Sequence, residues 1–180
     1  MNKQIESNVL IGTTVNDTFY SRLVSFFTGS KYSHSVILYR SSLWGGWWMV
    51  QVDDKGIRKI PAETGLKQYS KIRVYECALS LQYGSKTLRY YIGKKYDWFG
   101  ILGFLLKILI SKIVKIEILN PMHDGSKLFC SEMCMKVLQQ SGVPGTDCYD
   151  ANSTSPGDLH EFLEGSPYMR HVDLPVIVKK

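Results

Sequence analysis

Apolar residues change their spacing several times along this chain, and each change marks an element. Asn8 to Thr14 (NVLIGTT) reads as a short strand. The next segment, TFYSRLVSFFTG, has helical spacing: Phe19, Leu23, Phe26 and Phe27 fall on one side, Asn16 or Asp17 supplies the cap, and Gly29 the stop. KYSHSVILYR and WWMVQVDD are β-branched and aromatic runs joined by the turn-like SSLWGG, which predicts a hairpin of two apolar strands. KIRVYECAL (71–79) predicts a third strand, and SKTLRYYIGKKY (85–96) a helix broken near Gly93.

The stretch 98–119 is the most apolar part of the chain and is long enough to cross a bilayer, yet Lys107, Lys112 and Lys115 lie within it. On a helical projection Lys107, Ser111, Lys115 and Lys112 form one polar arc, interrupted by Ile108. The result is an imperfect basic amphipathic helix. Its lysines favour a core or crevice helix first, a membrane-surface helix second and a span last. CSEMCMKVLQQSG then predicts a helix with Met133, Cys134, Val137 and Leu138 inward and Gly142 as its stop. Ser155-Pro156 opens a further short helix through Leu163, and DLPVIVKK is a candidate last strand. No repeat or linker splits the 180 residues, so one domain is expected, with the apolar basic helical insertion at about 98–125.

Composition narrows the class. Hydrophobic residues at 44% and charged residues at 21% support a packed core and exclude a disordered tail. The net charge of +6 is unevenly placed: residues 86–115 carry seven basic side chains against Asp97 alone, whereas 116–178 are acidic. That basic stretch is interleaved with long aliphatic runs rather than exposed aromatics, which ranks nucleic acid last among partners. An anionic membrane surface, met through 98–119, suits it better. Four irregularly spaced cysteines do not form a secreted disulfide framework, and the N-terminus lacks the apolar run of a signal peptide. A cytoplasmic or other reducing compartment is therefore expected, with peripheral membrane attachment through the basic segment.

Cys130 stands at or just before the first turn of a predicted helix. Unsatisfied backbone N–H groups and the helix dipole favour a thiolate there, and the same groups can donate to an oxyanion. A nucleophilic cysteine needs a base, usually histidine, and a group that orients it. His34 begins a strand that can aim its ring, His123 lies in the loop NPMHDG, His160 sits on a surface helix among Asp158, Glu161 and Glu164, and His171 lies near the C-terminus. His34 is the better placed, narrowly ahead of His123. The orienting group depends on hairpin register. Pairing Arg40 with Gly45 sets His34 opposite Gln51, and a slip of two sets Asp53 there instead. A zinc site from Cys130, Cys134 and His123 has poor spacing, so neither metal nor cofactor is called for.

The ordered blocks KYSHSVIL, WMVQVDDKGI, LKQYSKIRVYE, YIGKKYDWFG, FCSEMCMKVLQ and TSPGDL, from about residue 9 to 163, resemble the circularly permuted NlpC-type papain-like cysteine hydrolases. Within these the chain is most similar to the YiiX/YaeF-like permuted amidases, relatives of lecithin retinol acyltransferase. The resemblance implies an α+β fold: an antiparallel sheet packed by helices, with the nucleophile at a helix N-terminus. It carries the nucleophile onto Cys130, the base onto His34 and the third polar position onto Gln51, with Asp53 as the alternative. Gln51 departs from the glutamate common there. The YSH, YD and CSE blocks place Ser33, Tyr96, Asp97 and Ser131 beside the site. The implied activity is hydrolysis of an amide or related acyl bond, on cell-wall-type peptides, through a thioester acyl-enzyme. The alternatives are a membrane-associated lipid acyltransferase or thioesterase using the same pair, and a catalytically silent binding module. The substrate is accordingly a peptide or lipid acyl compound.

Overall fold

The computed structural model describes residues 7–41, 43, 45–53, 55–94, 103, 110 and 129–173. Its framework is an antiparallel sheet of β1 (Val9–Val15), β2 (His34–Arg40), β3 (Trp47–Asp53), β4 (Gly56–Pro61), β5 (Lys71–Cys77) and β6 (Met169–Val172). The spatial order is β4-β3-β2-β1-β5-β6. With α1 (Phe19–Thr28), α2 (Ala62–Leu66), α3 (Gln82–Lys86), α4 (Cys130–Gln140) and α5 (Pro156–Gly165), the architecture is α+β, as the sequence pattern anticipates.

The hairpin β2–β3 takes the slipped register: Arg40 pairs with Trp47 and Ile37 with Val50. The turn explains the choice. Gly45 and Gly46 both have positive φ, of 64° and 66°, so they belong to the loop and not to the ladder. Ser41 N–H donates to the Gly46 carbonyl at 3.1 Å and closes the loop there. Strand β4 escapes a reading by pattern because GIRKIP does not alternate and ends in proline. At a sheet edge, the N–H that Pro61 lacks is not missed.

Three other expectations are corrected. The cap of α1 is Thr18, whose hydroxyl accepts from Ser21 N–H at 3.3 Å; Asn16 instead accepts from Asp17 N–H. The helix expected at 85–96 is one α turn (α3) followed by a 3-10 turn, Thr87–Tyr90. The chain cannot stay helical beyond it, because Gly93 N–H donates to the Ile57 carbonyl at 2.8 Å and Ile57 N–H donates to the Lys94 carbonyl at 2.9 Å. His160 is not a surface side chain: its ring stacks on Tyr32 with centroids 3.6 Å apart. Apart from Gly103 and Ile110, the basic apolar stretch 98–119 lies outside the described residues. The strand expected at 173–180 likewise does so beyond Asp173. Among the described residues no helix is long and apolar enough to cross a membrane.

The sheet is covered on both faces, and the pleat sorts its strands between them. Ile11, Ile37, Val50 and Tyr75 meet α4 and α5 in the larger cluster, which includes Met133, Val137, Leu138 and Leu163. Leu10, Val36, Leu38, Met49 and Val74 form the smaller cluster with Ala62 of α2. Helix α4 buries eight of its eleven residues, polar Ser131 and Glu132 among them, so its position over β2 is tightly set. Glu132 is held at no solvent exposure by Lys136, 2.6 Å away, and accepts from Phe129 N–H.

Helix α3 locks α4 from the far end. Gly84 packs against α4 so closely that a Cβ there would lie 2.2 Å from the Val137 carbonyl oxygen. Gly84→Ala is therefore expected to cost about 1–3 kcal/mol, read as a lowered urea midpoint, by forcing two backbones apart. Lys86→Ala on the same short helix, at an exposed position, should stay within about 0.5 kcal/mol of the parent.

Candidate active site

Strand β2 and helix α4 bring Cys130 and His34 to the same end of the molecule. Cys130 opens α4 after Phe129, whose extended backbone turns the chain into the helix. The sulfur is buried, and burial pushes its pKa up to about 11. Backbone N–H groups of Ser35, Ser131 and Cys130 itself act in the opposite direction by favouring the thiolate. The contact with Ser35 is the positional link, since Ser35 follows His34 in β2. Ser131, the neighbour expected beside the site, donates its hydroxyl to the Thr154 carbonyl at 2.7 Å, and its side chain also acts on the Cys130 sulfur in favour of the thiolate. Cys134, one turn deeper, is fully buried, and burial pushes its thiol pKa well above the ordinary value.

His34, the first residue of β2, lines a cleft of about 800 Å³. Burial lowers its pKa to about 4, while the charge of Asp53 pulls the other way. The ring stacks on Tyr69 with centroids 5.7 Å apart. From Tyr69 a chain of hydrogen bonds runs along the cleft wall: its hydroxyl donates to Gln51 Oε1 at 2.9 Å, and Gln51 Nε2 donates to Asp53 Oδ2 at 2.9 Å. Asp53 is bound by Arg58 and by Lys55 N–H. Burial would raise its carboxyl pKa, but Arg58 outweighs that and holds it below its ordinary value.

The slipped register thus puts Gln51 across from Val36 and continues toward His34 with Asp53. Among the described residues no hydrogen bond joins the His34 ring to Cys130, Gln51 or Asp53. Gln51 spends its amide on Tyr69 and Asp53, so its effect on His34 passes through the stacked tyrosine. Tyr69 and Arg58 are the cleft residues that sequence pattern alone does not single out. Tyr69 stands in the LKQYSK block, and that was its one signal. Tyr96, Asp97 and His123 lie outside the described residues.

Among the described residues, three buried hydroxyls near His34 have no hydrogen-bond partner: Thr14, which faces it across the β1–β2 ladder, and its chain neighbours Ser33 and Ser35. Ser33 also lines the cleft.

No protein-family model matches the sequence, and no curated protein matches it. A solved structure does. The metalloprotein yiiX from Escherichia coli O157:H7 superposes with a TM-score of 0.56 over 98% of this chain and 92% of that one, at 19% identity. At that identity the likeness establishes a shared fold. Among the described residues no group of three or more His, Cys, Asp or Glu could hold a metal ion. Of the candidate set Cys130, Cys134 and His123, the two cysteines are buried and His123 lies outside the described residues.

A neutral buried imidazole leaves a thermodynamic mark. Unfolded His34 takes up a proton near its ordinary pKa of 6.5, whereas the folded residue resists until about pH 4. The stability is thus complete above pH 6.5 and falls as pH drops through that window. Between pH 7 and 5 the loss due to His34 is expected to be about 2 kcal/mol. His34→Asn should flatten that part of the stability-against-pH curve measured by urea unfolding; an unchanged slope would place the ring in solvent.

Proposed function

We propose that this chain is a cysteine hydrolase of the permuted papain-like (NlpC-type) kind, acting on an amide or related acyl bond. The observation that carries the reading is the sulfur of Cys130 at the start of α4. It is fed by the amides of Ser35 and Ser131, one residue from the histidine that lines the cleft. A helix N-terminus stabilises the thiolate and then the oxyanion, which are the two negative charges the reaction creates.

In this mechanism neutral His34 takes the proton from Cys130 as the thiolate attacks the carbonyl carbon and forms the C–S bond. The oxyanion is held by the N–H groups at the start of α4. The C–N or C–O bond then breaks as the imidazolium returns its proton to the leaving group. Water, deprotonated by His34, releases the acyl group and restores the thiol. Because burial disfavours both the imidazolium and the thiolate, the resting pair is neutral, and the hydrogen bond between them forms as substrate enters the cleft. Asp53 and the Tyr69–Gln51 chain favour the transient imidazolium by charge and by orientation. The cleft has an apolar wall from Phe19, Leu23 and Val24 and a polar wall from Gln51, Asp53 and Gln68, which suits an acyl compound with a polar head or a short peptide.

A second reading, a silent binding module on the same fold, draws on the missing hydrogen bond between His34 and Cys130 in the resting site. The two separate in the iodoacetamide reaction of Cys130. If His34 is the base, His34→Ala slows alkylation at neutral pH; for a binding module the rate is that of a buried, high-pKa thiol with or without the histidine.

Against a panel of acyl esters and acyl-peptide anilides, Cys130→Ala and His34→Ala should each lower kcat/KM by at least roughly a thousandfold. Full activity in Cys130→Ala would end the proposal. The acid limb of kcat/KM is set by protonation of free His34 and should fall near pH 4 to 5 instead of near pH 6.5. Asp53→Asn, which removes the charge that raises the imidazole pKa, should move that limb lower.

A further inference from the structure

Helix α1 is built the wrong way round for a globular protein. On a helical projection Phe26, Phe19, Leu23, Phe27 and Tyr20 occupy one continuous arc, while Ser25, Ser21 and Thr28 occupy the opposite side. The fold buries Ser21 and leaves Phe19 74% and Phe26 78% exposed, while Leu23 and Phe27 on the same arc are half-buried. The inward serine is held by a local network, its N–H and hydroxyl both bonded to Thr18, so the orientation is built into the cap. Exposed large apolar side chains gathered on one face mark a surface that meets a partner.

The neighbours of that face indicate the partner. Along Phe19–Thr28 the one charged residue is Arg22, at the edge of the arc, and no acidic residue occupies the helix. Lys31 follows the C-cap Gly29, and Lys55 stands on the cleft that α1 walls. Asp17, before the cap, and Asp53, on the same cleft and paired with Arg58, are the acidic residues among these neighbours. Phe and Tyr side chains framed by cations match the boundary between acyl chains and anionic headgroups. The helix is also too short to cross a bilayer and can lie along its surface.

We propose that α1 docks this protein, apolar face down, on a bilayer containing anionic phospholipid. The docked helix is continuous with the cleft: Phe19, Tyr20 and Leu23 belong to both. Docking would therefore bring the mouth beside His34 to the membrane surface. The proposal assigns the lipid contact to α1 and does not require the basic stretch 98–119. Nor does it depend on the thiol chemistry, because binding is read in a chain that cannot react.

The test is flotation of the full chain carrying Cys130→Ala, with vesicles of equal parts phosphatidylcholine and phosphatidylglycerol and with phosphatidylcholine alone. Binding is expected to the mixed vesicles and to weaken with salt. Phe19→Ser with Phe26→Ser should lower vesicle affinity at least tenfold, and Arg22→Glu by about fivefold or more. Far-UV circular dichroism should be unchanged, since these side chains are exposed. A Trp placed at Phe26 should show a blue-shifted emission on mixed vesicles. The proposal is overturned if the parent chain stays unbound, or if the double serine variant floats like the parent. It is equally overturned if light scattering shows a dimer that the serine variant dissolves, which would make the face a contact between two copies.

Discussion

The seating of α4 across β2 is the constraint from which the rest of this molecule follows. Met133, Val137 and Leu138 are packed out of solvent against Ile37 and Val50, so the helix has one position and its N-terminus points to one place. That place is the beginning of β2, where the Ser35 amide reaches the sulfur of Cys130. Gly84 fixes the other side of α4 by close backbone approach, and Glu132 is paired inside with Lys136. A reactive group at a helix terminus is only as well aimed as its helix is packed.

The same packing sets the electrostatics of the cleft. Burial works against charge on Cys130 and on His34 alike, while backbone amides at the sulfur and Asp53 near the imidazole work in favour of it. In the proposed hydrolase these preplaced groups are the ones that stabilise the charge-separated pair. Asp53 can play its part because Arg58 and the Lys55 amide keep it ionised.

Much of this was legible in the chain before any fold was known. The β2–β3 hairpin, the strand through Lys71–Cys77 and the helices that begin at Cys130 and Pro156 follow from residue period and capping, and the structure places them there. Elements whose form depends on distant partners were not legible. Strand β4 has no alternation and exists because β3 offers it an edge. The expected helix at 85–96 gives way to a 3-10 turn because Ile57, thirty-odd residues away, pairs with its end. His160 read as a surface residue from its acidic neighbours, yet its ring is stacked on Tyr32 across the fold.

At the site the division is equally physical. The sequence by itself named the candidates for chemistry: a thiol at a helix start, an imidazole at a strand start, and a choice of Gln51 or Asp53 behind it. Period and capping are local properties, and local order carries them. Tertiary structure alone decided the register, through two loop glycines that move Asp53 into line with His34, and it inserted Tyr69 between that ring and Gln51. It also decided that Phe19 and Phe26 on the aromatic arc of α1, whose spacing the sequence shows plainly, stay exposed. A helical projection gives the angle between side chains but not the direction of the core, and that direction comes from what the rest of the chain packs against it.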